Sequence, residues 1–337
     1  MPRQGAEAGK IEDVKGILRA VDAFQKRHAT VAFPLAAFKK FGEDQAGNLA
    51  AVISYYGFFS LFPLLLVLVT VLDMVLSNNP DLRTRILDSA LASFPVIGTE
   101  ISRNVHALEG SGVTLALGIA LTLWAGLGVV KATQTAMNSV WNVPFQHRPN
   151  FLKSTLRGLI MLGVLGVMTL VSAAAGTVGG GSGQWWLVIL GLAVSLVVNL
   201  FLFLLAFRIL TSENLTWGDV LPGAAMGSVA WTILQALGGF YVSRQIQGAS
   251  DVYGTFAVVI GLLAWIFIGA QLTLLAAEVN VVRKRHLWPR SLVQPPFTDA
   301  DVQALTGYAK QESRRPEERI DVEVQGRRPD AGGPAAR

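Results

Sequence analysis

The stretch that decides the fold is residues 254–282, GTFAVVIGLLAWIFIGAQLTLLAAEVNVV, in which Glu278 is the only ionisable side chain. A helix needs about 20 mostly apolar residues to cross roughly 30 Å of hydrocarbon, and this stretch exceeds that length. Five other stretches have the same character. The predicted spans are Leu49–Leu76, Gly112–Val130, Leu156–Val178, Trp185–Leu210, Val220–Val242 and Gly254–Val282.

The composition supports a membrane protein. Hydrophobic residues make up 52% of the 337-residue chain and charged residues only 15%, whereas soluble domains average about 25% charged residues. So little charge cannot cover the surface of a soluble enzyme. The absence of cysteine excludes a disulfide framework, a cysteine-ligated zinc and a thiol nucleophile.

These features predict an all-α polytopic membrane protein with six transmembrane helices in one bundle. Residues 1–47 form a cytoplasmic segment in which Lys10–Arg27 is an amphipathic helix, either lying on the inner leaflet or packed in the cytoplasm. Residues 48–285 form the bundle. Residues 286–337 are predicted to be a cytoplasmic, largely disordered tail, because Thr298–Arg337 is charged and nearly free of aromatic residues.

The distribution of basic residues predicts the orientation. With the N-terminus inside, the outer segments hold only Arg83, Arg85, Arg103 and Arg244, so the inner side holds 24 of the 28 lysines and arginines. Cytoplasmic loops are enriched in Lys and Arg. Both termini are therefore predicted to be cytoplasmic, and the net charge of +5 does not require a nucleic-acid partner.

Small residues and one proline predict how the helices pack. Membrane helices approach closely where their side chains are small. Gly223 and Gly227 form a GxxxG pattern in the fifth span, and Gly254 and Gly261 repeat every seven residues in the sixth. Pro63 removes a backbone hydrogen bond in the first span, which predicts a kink there.

Polar residues in the first and sixth spans form the candidate site. The two spans could enclose a lateral groove that takes a lipid headgroup or a small solute. Glu278 carries two interpretations: an ion pair with the basic residues 283–285, or a functional role, because unpaired charge within a membrane is costly. The candidate groove residues are Asn48, Tyr55, Tyr56, Ser60, Gln271, Glu278 and Asn280.

Three stretches carry the pattern of a known family. They are Asn48 with Ser54-Tyr55-Tyr56 and Phe59-Ser60-Leu61-Phe62-Pro63, then Leu221-Pro222-Gly223-Ala224, and finally Val252-Tyr253-Gly254, Ala257, Trp265 and Ala277-Glu278-Val279-Asn280. Together they resemble the YihY/virulence factor BrkB family of inner-membrane proteins. The resemblance covers roughly residues 40–285 and implies six spans in the bacterial cytoplasmic membrane. Two positions depart from the family pattern: Phe267, where a tyrosine is expected, and Ala276, where a glycine is expected.

An old family label, ribonuclease BN, implies a tRNA-processing enzyme, but the residues give it little support. Hydrolysis of RNA needs a metal held by clustered ligands or a general acid–base pair near one phosphate. His28, His106, His147 and His286 are scattered along the chain. We therefore expect no catalytic residues, no metal, no cofactor and no nucleic-acid partner.

Three functions remain open at the level of sequence. The first is a transporter or lipid-handling protein, with membrane lipids or a small solute as its partner. The second is a non-transporting scaffold for other envelope components, suggested by the charged tail. The third, a membrane-bound ribonuclease, ranks last.

Overall fold

The computed structural model describes residues 16, 18–75, 79–81, 84, 112–179, 185–241 and 247–325. Within these ranges, side chains are not described at 62–75, 112–119, 121–123, 169–179, 185, 187–188, 236, 238–241 and 247–258. The predicted kink at Pro63 and the predicted packing at Gly254 fall on side chains outside this description. Ile11 and Val14 of the predicted amphipathic helix lie outside it as well.

The described chain is built from helices and contains no strand. Two helices precede the bundle: α1 (residues 18–27) and α2 (Ala29–Glu43). Six long helices follow, each overlapping one predicted span. They are α3 (Ala46–Val75), α4 (Gly112–Val140), α5 (Phe151–Gly179), α6 (Trp185–Leu210), α7 (Trp217–Tyr241) and α8 (Gln247–Arg285). A last helix, α9 (Asp299–Gln311), lies after the bundle.

Three segments within the described residues are long and apolar enough to cross a membrane. They are Phe151–Met168 in α5, Ile189–Leu210 in α6 and Val259–Arg285 in α8. Large apolar side chains on α5 and α6 are exposed, including Leu152 and Phe201. Contiguous apolar exposure on this scale is unfavourable in water and favourable in lipid. The chain is therefore a polytopic helical membrane protein.

The main buried core lies where α2, α3, α4 and α8 meet. Small residues such as Ala36, Ala50 and Ala277 are buried there beside Trp141 and Leu274. Helices in lipid associate through close van der Waals packing, which small side chains permit. This core brings the polar end of α2 against the end of α8.

α3 and α8 also pack directly along their length. A Cβ atom added to Gly57 would lie 3.1 Å from Cγ2 of Ile266, so the two backbones are close at that point. A second buried cluster joins Leu61 of α3 to Leu262 and Trp265 of α8 and to Leu234 of α7. The contact between α3 and α8 is thus filled with side chains over this stretch.

Two polar residues near the end of α4, Gln134 and Asn138, are buried. A polar stripe at the end of a membrane span would ordinarily be expected to face solvent, so their burial needs an explanation. The Gln134 side chain donates to the backbone oxygen of Ser154 at 3.0 Å and accepts from the Ser154 hydroxyl. Oδ1 of Asn138 accepts from the backbone N–H of Ser212 at 2.8 Å. These bonds tie α4 to the start of α5 and to the turn after α6, which explains why α4 continues ten residues beyond the predicted span.

The prediction of a disordered tail is wrong for residues 299–311. α9 begins with a capping box in which Thr298 accepts from the backbone N–H of Asp301 and Asp301 accepts from that of Thr298. Its residues Ala300, Asp301 and Ala304 are buried. The segment is ordered because Asp301 forms ion pairs with Lys39 of α2 and with Arg290 of the α8–α9 loop. The composition of the segment does not reveal these stabilising contacts.

Gly223 of α7 offers a test of the helix packing. Its backbone N–H donates to Oδ1 of Asn280 at 2.6 Å, and an added Cβ would collide with the backbone oxygen of Ala276 and with the Asn280 amide. We predict that Gly223→Ala destabilises the protein by about 1–3 kcal/mol, the usual cost of overpacking. Thermal unfolding of the purified protein in detergent measures this change.

Gly163→Ala is the matched control, because no atom lies within 4 Å of an added Cβ there. Alanine is the better helix former, so this variant should unfold at the same or a higher temperature. Equal unfolding temperatures for the Gly223 variant and wild type would contradict the close packing of α7 against α8.

Candidate functional site

Glu278 lies fully buried near the end of α8, with 0% of its surface exposed. Leu274, Ala277 and Val281 are buried around it on the same helix. The apolar face of α8 therefore carries the carboxylate into the protein interior and away from both lipid and water. A charge in such a place requires a partner.

The partner is Lys40 of α2, which is also 0% exposed. Its Nζ lies 3.2 Å from Oε2 of Glu278, donates to Oδ2 of Asp44 at 2.5 Å and donates to the backbone oxygen of Val140 at 2.7 Å. The Asp44 carboxyl also interacts with that of Glu278. We refer to Lys40, Asp44 and Glu278 as the Lys40 cluster.

The partner of Glu278 corrects one prediction. The basic residues that follow it are engaged elsewhere: Lys284 pairs with Asp219 at 3.1 Å and Arg285 pairs with Glu213 at 3.0 Å. Arg283 is exposed. A local ion pair between Glu278 and residues 283–285 is therefore wrong, and the true partner comes from the helix that precedes the first span.

A second ionic group surrounds Arg290 in the loop between α8 and α9. Its NH2 lies 2.8 and 2.9 Å from the two oxygens of Glu43, and its Nε donates to Oδ1 of Asp301 at 2.6 Å. Lys39 lies 3.1 Å from Asp301 and 3.8 Å from Glu43. We call Lys39, Glu43, Arg290 and Asp301 the Arg290 network.

Hydrogen bonds keep Arg290 and Asp301 of this network ionised. Burial alone would raise the pKa of Asp301, but bonds from Arg290 and from the backbone N–H groups of Thr298 and Ser291 outweigh it, so the pKa lies far below its ordinary value. Burial would likewise lower the pKa of Arg290, and the bonds to Asp301 and Glu43 raise it instead. Both groups are charged at neutral pH.

Tyr308 of α9 connects the two ionic groups. Its hydroxyl donates to Oε2 of Glu43 at 3.0 Å, and its ring lies 5.7 Å from Nζ of Lys40. Burial, together with the nearby carboxylates of Asp44, Glu43 and Glu278, raises the pKa of Tyr308. The phenol is therefore neutral and covers the Lys40 cluster from the side of α9.

α1 lies against the same loop through its polar side. The Gln25 amide donates to the backbone oxygen of Arg290 at 2.5 Å, and Asp22 accepts from the backbone N–H of Leu292 at 2.7 Å. Leu18, Val21 and Phe24 are exposed on the opposite side of α1. A cavity of about 740 Å³ lies between α1 and the α8–α9 segment, lined by residues that include Arg19, Lys26, His286 and Trp288.

The structure does not bring the seven candidate groove residues to one surface. Asn48, Tyr55 and Tyr56 are exposed on α3, whereas Glu278 and Asn280 are fully buried on α8. Ser60 and Gln271 are half-buried; the Ser60 hydroxyl donates to the backbone oxygen of Gly57 at 2.8 Å, and Gln271 lies close to Gly47. The prediction of a single groove that exposes Glu278 and Asn280 is therefore wrong. Glu278 is buried against Lys40, and Asn280 is buried where it accepts a hydrogen bond from the backbone of Gly223.

The glycines predicted to pack the helices differ in their surroundings. Gly223 and Gly227 both lie where α7 meets α8, and an added Cβ at Gly227 would lie 3.0 Å from Phe203 and 3.2 Å from Ala276. Gly261 is half-buried on α8. These contacts show that α7 packs against both α6 and α8 at Gly227.

Sequence reasoning missed Lys40, Asp44, Arg290, Asp301 and Tyr308. Lys39 with Glu43 and Lys40 with Asp44 form two successive pairs four residues apart, a spacing that favours contact on one helix face. That pattern shows that the charges pair but not that the pairs are buried. Thr298 followed three residues later by Asp301 was a second available signal, because it matches a capping box.

The arrangement can hold charge and protons. Among the residues that the structure describes, no group of three or more histidine, aspartate and glutamate side chains could hold a metal ion. The buried groups are instead carboxylates matched to lysine and arginine. Chemistry at this site would therefore involve ion pairing or proton exchange.

A family model described as virulence factor BrkB matches residues 37–299. This range includes the Lys40 cluster and most of the Arg290 network. The chain belongs to the virulence factor BrkB family. This assignment confirms the resemblance seen in the sequence.

Individual BrkB-family relatives agree with a membrane protein. The inner membrane protein YhjD of Escherichia coli is 23% identical over 274 residues, covering 75% of this chain and 81% of that protein. The ribonuclease-like protein YfkH of Bacillus subtilis is 24% identical, covering 77% and 98%. A protein of Dickeya dadantii is 24% identical over 298 residues, covering 82% and 89%. No solved structure matches this chain.

The Arg290 network yields a prediction about the segment after α8. Arg290→Ala would leave the buried carboxylate of Asp301 without its main partner, and breaking such a pair typically costs about 3–5 kcal/mol. We expect α9 to separate from the bundle. Limited digestion with chymotrypsin should then cleave within residues 286–325 at least about tenfold faster than in the wild type.

Arg319→Ala is the control, because its ion pair with Asp321 is exposed, with 87% of the arginine side chain accessible. An exposed pair contributes about 0–1 kcal/mol, so digestion should be unchanged. Equal digestion rates for the Arg290 variant and the wild type would show that the network does not hold α9.

Proposed function

We propose that this BrkB-family protein is a transporter or lipid-handling protein of the inner membrane, with the Lys40 cluster as its functional element. The observation that carries the proposal is the fully buried Lys40–Glu278 pair at the end of a helix long and apolar enough to cross a membrane. Ionisable residues inside membrane proteins are costly and commonly mark substrate, ion or proton pathways.

Stability alone is a weak reason for such a pair. Removing two charges from water costs several kcal/mol per ion, and well-packed apolar residues are often as stable or more stable in the same place. Lys40, Asp44 and Glu278 bring three ionisable groups into a region otherwise packed with alanine, leucine and valine. A functional role explains the presence of these groups better than a packing role does.

The exposed surface of α3 supports a lipid path. Tyr55, Tyr56 and Phe59 are exposed and contact one another, with ring centroids 5.5 Å apart for the tyrosines and 4.9 Å apart for Tyr55 and Phe59. Asn48 is exposed in the first turn of α3, which begins two residues after Asp44. We propose that this surface contacts lipid headgroups or a small solute near the Lys40 cluster, replacing the enclosed groove predicted from sequence.

We further propose six spans with both termini in the cytoplasm. The six long helices and the 24-to-4 distribution of basic residues support this topology. The Lys40 cluster, the Arg290 network and α9 would then all face the cytoplasm. The E. coli relative is named an inner membrane protein, which supports the location.

The absence of native cysteine makes the topology directly testable. Single cysteines at Arg244 and Arg319 should differ in reaction with a membrane-impermeant maleimide added to intact cells. We predict labelling of Arg244→Cys and protection of Arg319→Cys until the membrane is permeabilised. Labelling of Arg319→Cys in intact cells would contradict a cytoplasmic C-terminal segment.

The functional proposal is tested with purified protein in liposomes, by following movement of a fluorescent anionic phospholipid between leaflets. We predict movement well above that of empty liposomes. Lys40→Met, which keeps the apolar stem and removes the charge, should slow it at least about tenfold, or roughly 1.4 kcal/mol of activation free energy.

Lys284→Met is the matched control, since Lys284 pairs with Asp219 where both side chains are partly exposed. It should retain the wild-type rate. If Lys40→Met does not fold, Asn48→Ala and Tyr55→Phe on the exposed α3 surface test the same path without disturbing the core. A wild-type rate of lipid movement in Asn48→Ala, in Tyr55→Phe and in Lys40→Met, if the last variant folds, would contradict the proposed site.

No movement above empty liposomes would remove lipid handling and leave transport of a small solute or the scaffold role, which predicts a copurifying partner. We do not propose a nuclease, although the B. subtilis relative is named ribonuclease-like. RNA cleavage by the pure protein that tracks with its purity would overturn this position.

A further inference from the structure

The Lys40 cluster places two carboxyl groups against one ammonium group. Asp44 and Glu278 both pair with Lys40, and both carboxyls are almost completely buried, with 3% and 0% of their side chains exposed. One lysine can neutralise one carboxylate. The second carboxylate therefore lacks a counter-charge within the cluster.

The surrounding Arg290 network does not supply the missing charge. The ion pairs that join Lys39, Glu43, Arg290 and Asp301 balance two cations with two carboxylates. Within the described part of the chain, the network and the cluster together contain three cations and four carboxyls. The excess of one negative charge sits in a region that excludes water.

The hydrogen bonds identify where the imbalance lies. Nζ of Lys40 donates hydrogen bonds to Oδ2 of Asp44 at 2.5 Å and to the backbone oxygen of Val140 at 2.7 Å. Its contact with Oε2 of Glu278 is longer, at 3.2 Å, and neither oxygen of Glu278 receives a well-directed hydrogen bond. Buried acceptors without donors are rare in proteins, because they lose their hydration without replacement.

The groups that face the pair from each neighbouring element are few. α2 supplies Lys40 and, farther out, Lys39 and Glu43; α4 supplies the Val140 carbonyl; α9 supplies the neutral phenol of Tyr308. Arg290, from the loop, is bound to Glu43 and Asp301. None of these groups adds a second positive charge next to Glu278.

We propose that the Asp44–Glu278 carboxyl pair binds one proton at neutral pH, while Lys40 remains an ammonium ion. Two carboxyls that share one site cannot both ionise without strong repulsion, and a shared proton supplies the missing donor between them. The proton comes from cytoplasmic water and forms an O–H bond on one carboxyl, with the other accepting the hydrogen bond. The cluster is then neutral.

The site acquires a role in transport only through the proposed function, on which this part of the inference rests. Loss of the proton leaves two carboxylates beside the one ammonium of Lys40, and their repulsion weakens the attachment of α2 to α8. Proton binding and release at this point would therefore change the contact between the first and last parts of the bundle. The proton is the ligand of the site.

Infrared spectroscopy of the full chain in a maltoside detergent tests the proposal, because that detergent has no ester carbonyl to obscure the C=O stretch of a protonated carboxylic acid. At neutral pH, we expect one such band per chain, shifted in heavy water. Asp44→Asn combined with Glu278→Gln should abolish it. Glu213→Gln, at the partly exposed pair with Arg285, should leave it unchanged.

Lys40→Met gives an independent readout in the opposite direction. Without the ammonium, both buried carboxyls should be protonated, and the band should double. If that variant does not fold, the loss of the band in the double variant still decides the matter. Absence of the band from the wild type would overturn the proposal, as would its persistence in the double variant.

The spectroscopic result is separable from the functional one. A wild-type band without lipid movement would contradict the proposed lipid handling and leave the proton site intact. Lipid movement without a wild-type band would contradict the proton site and leave the proposed lipid handling intact.

Discussion

The burial of Lys40 against Glu278 is the constraint on which the rest of the structure depends. Among the described residues, Lys40 is the cation that pairs with the buried Glu278, so α2 and α8 meet although they lie far apart in the chain. Their meeting fixes the end of α3 beside α8 and brings the Val140 carbonyl of α4 to the ammonium. The small residues of the main core make that approach possible.

The six long helices could be predicted from sequence because each is a long apolar stretch, a signal that needs no knowledge of neighbours. Gly223 could be selected for the same reason, since a GxxxG pattern is visible locally. Glu278 was recognisable as unusual because it was the only ionisable residue in its span. In each case, the information lies within one helix.

The identity of the partner could not be read in this way. Lys40 lies in a segment rich in charge, where a lysine normally contacts water, and only the folded arrangement removes it from solvent. Glu278 has three basic residues close by in sequence, yet Lys284 and Arg285 pair with Asp219 and Glu213 instead, which only the folded arrangement brings to them. Likewise, α9 depends on Arg290 and Glu43, so its composition alone resembles that of a disordered tail.

The distance between partners also has a consequence for synthesis. Glu43 and Arg290 are separated by 247 residues, and a ribosome adds about 5–20 residues per second. For roughly 10 to 50 s after α2 emerges, Lys40 has Asp44 as an ionic partner but not yet Glu278, which lies in the last long helix. The bundle closes only when the last helix arrives, so a nascent chain that stops early keeps Lys40 accessible and is chemically distinguishable from a finished one.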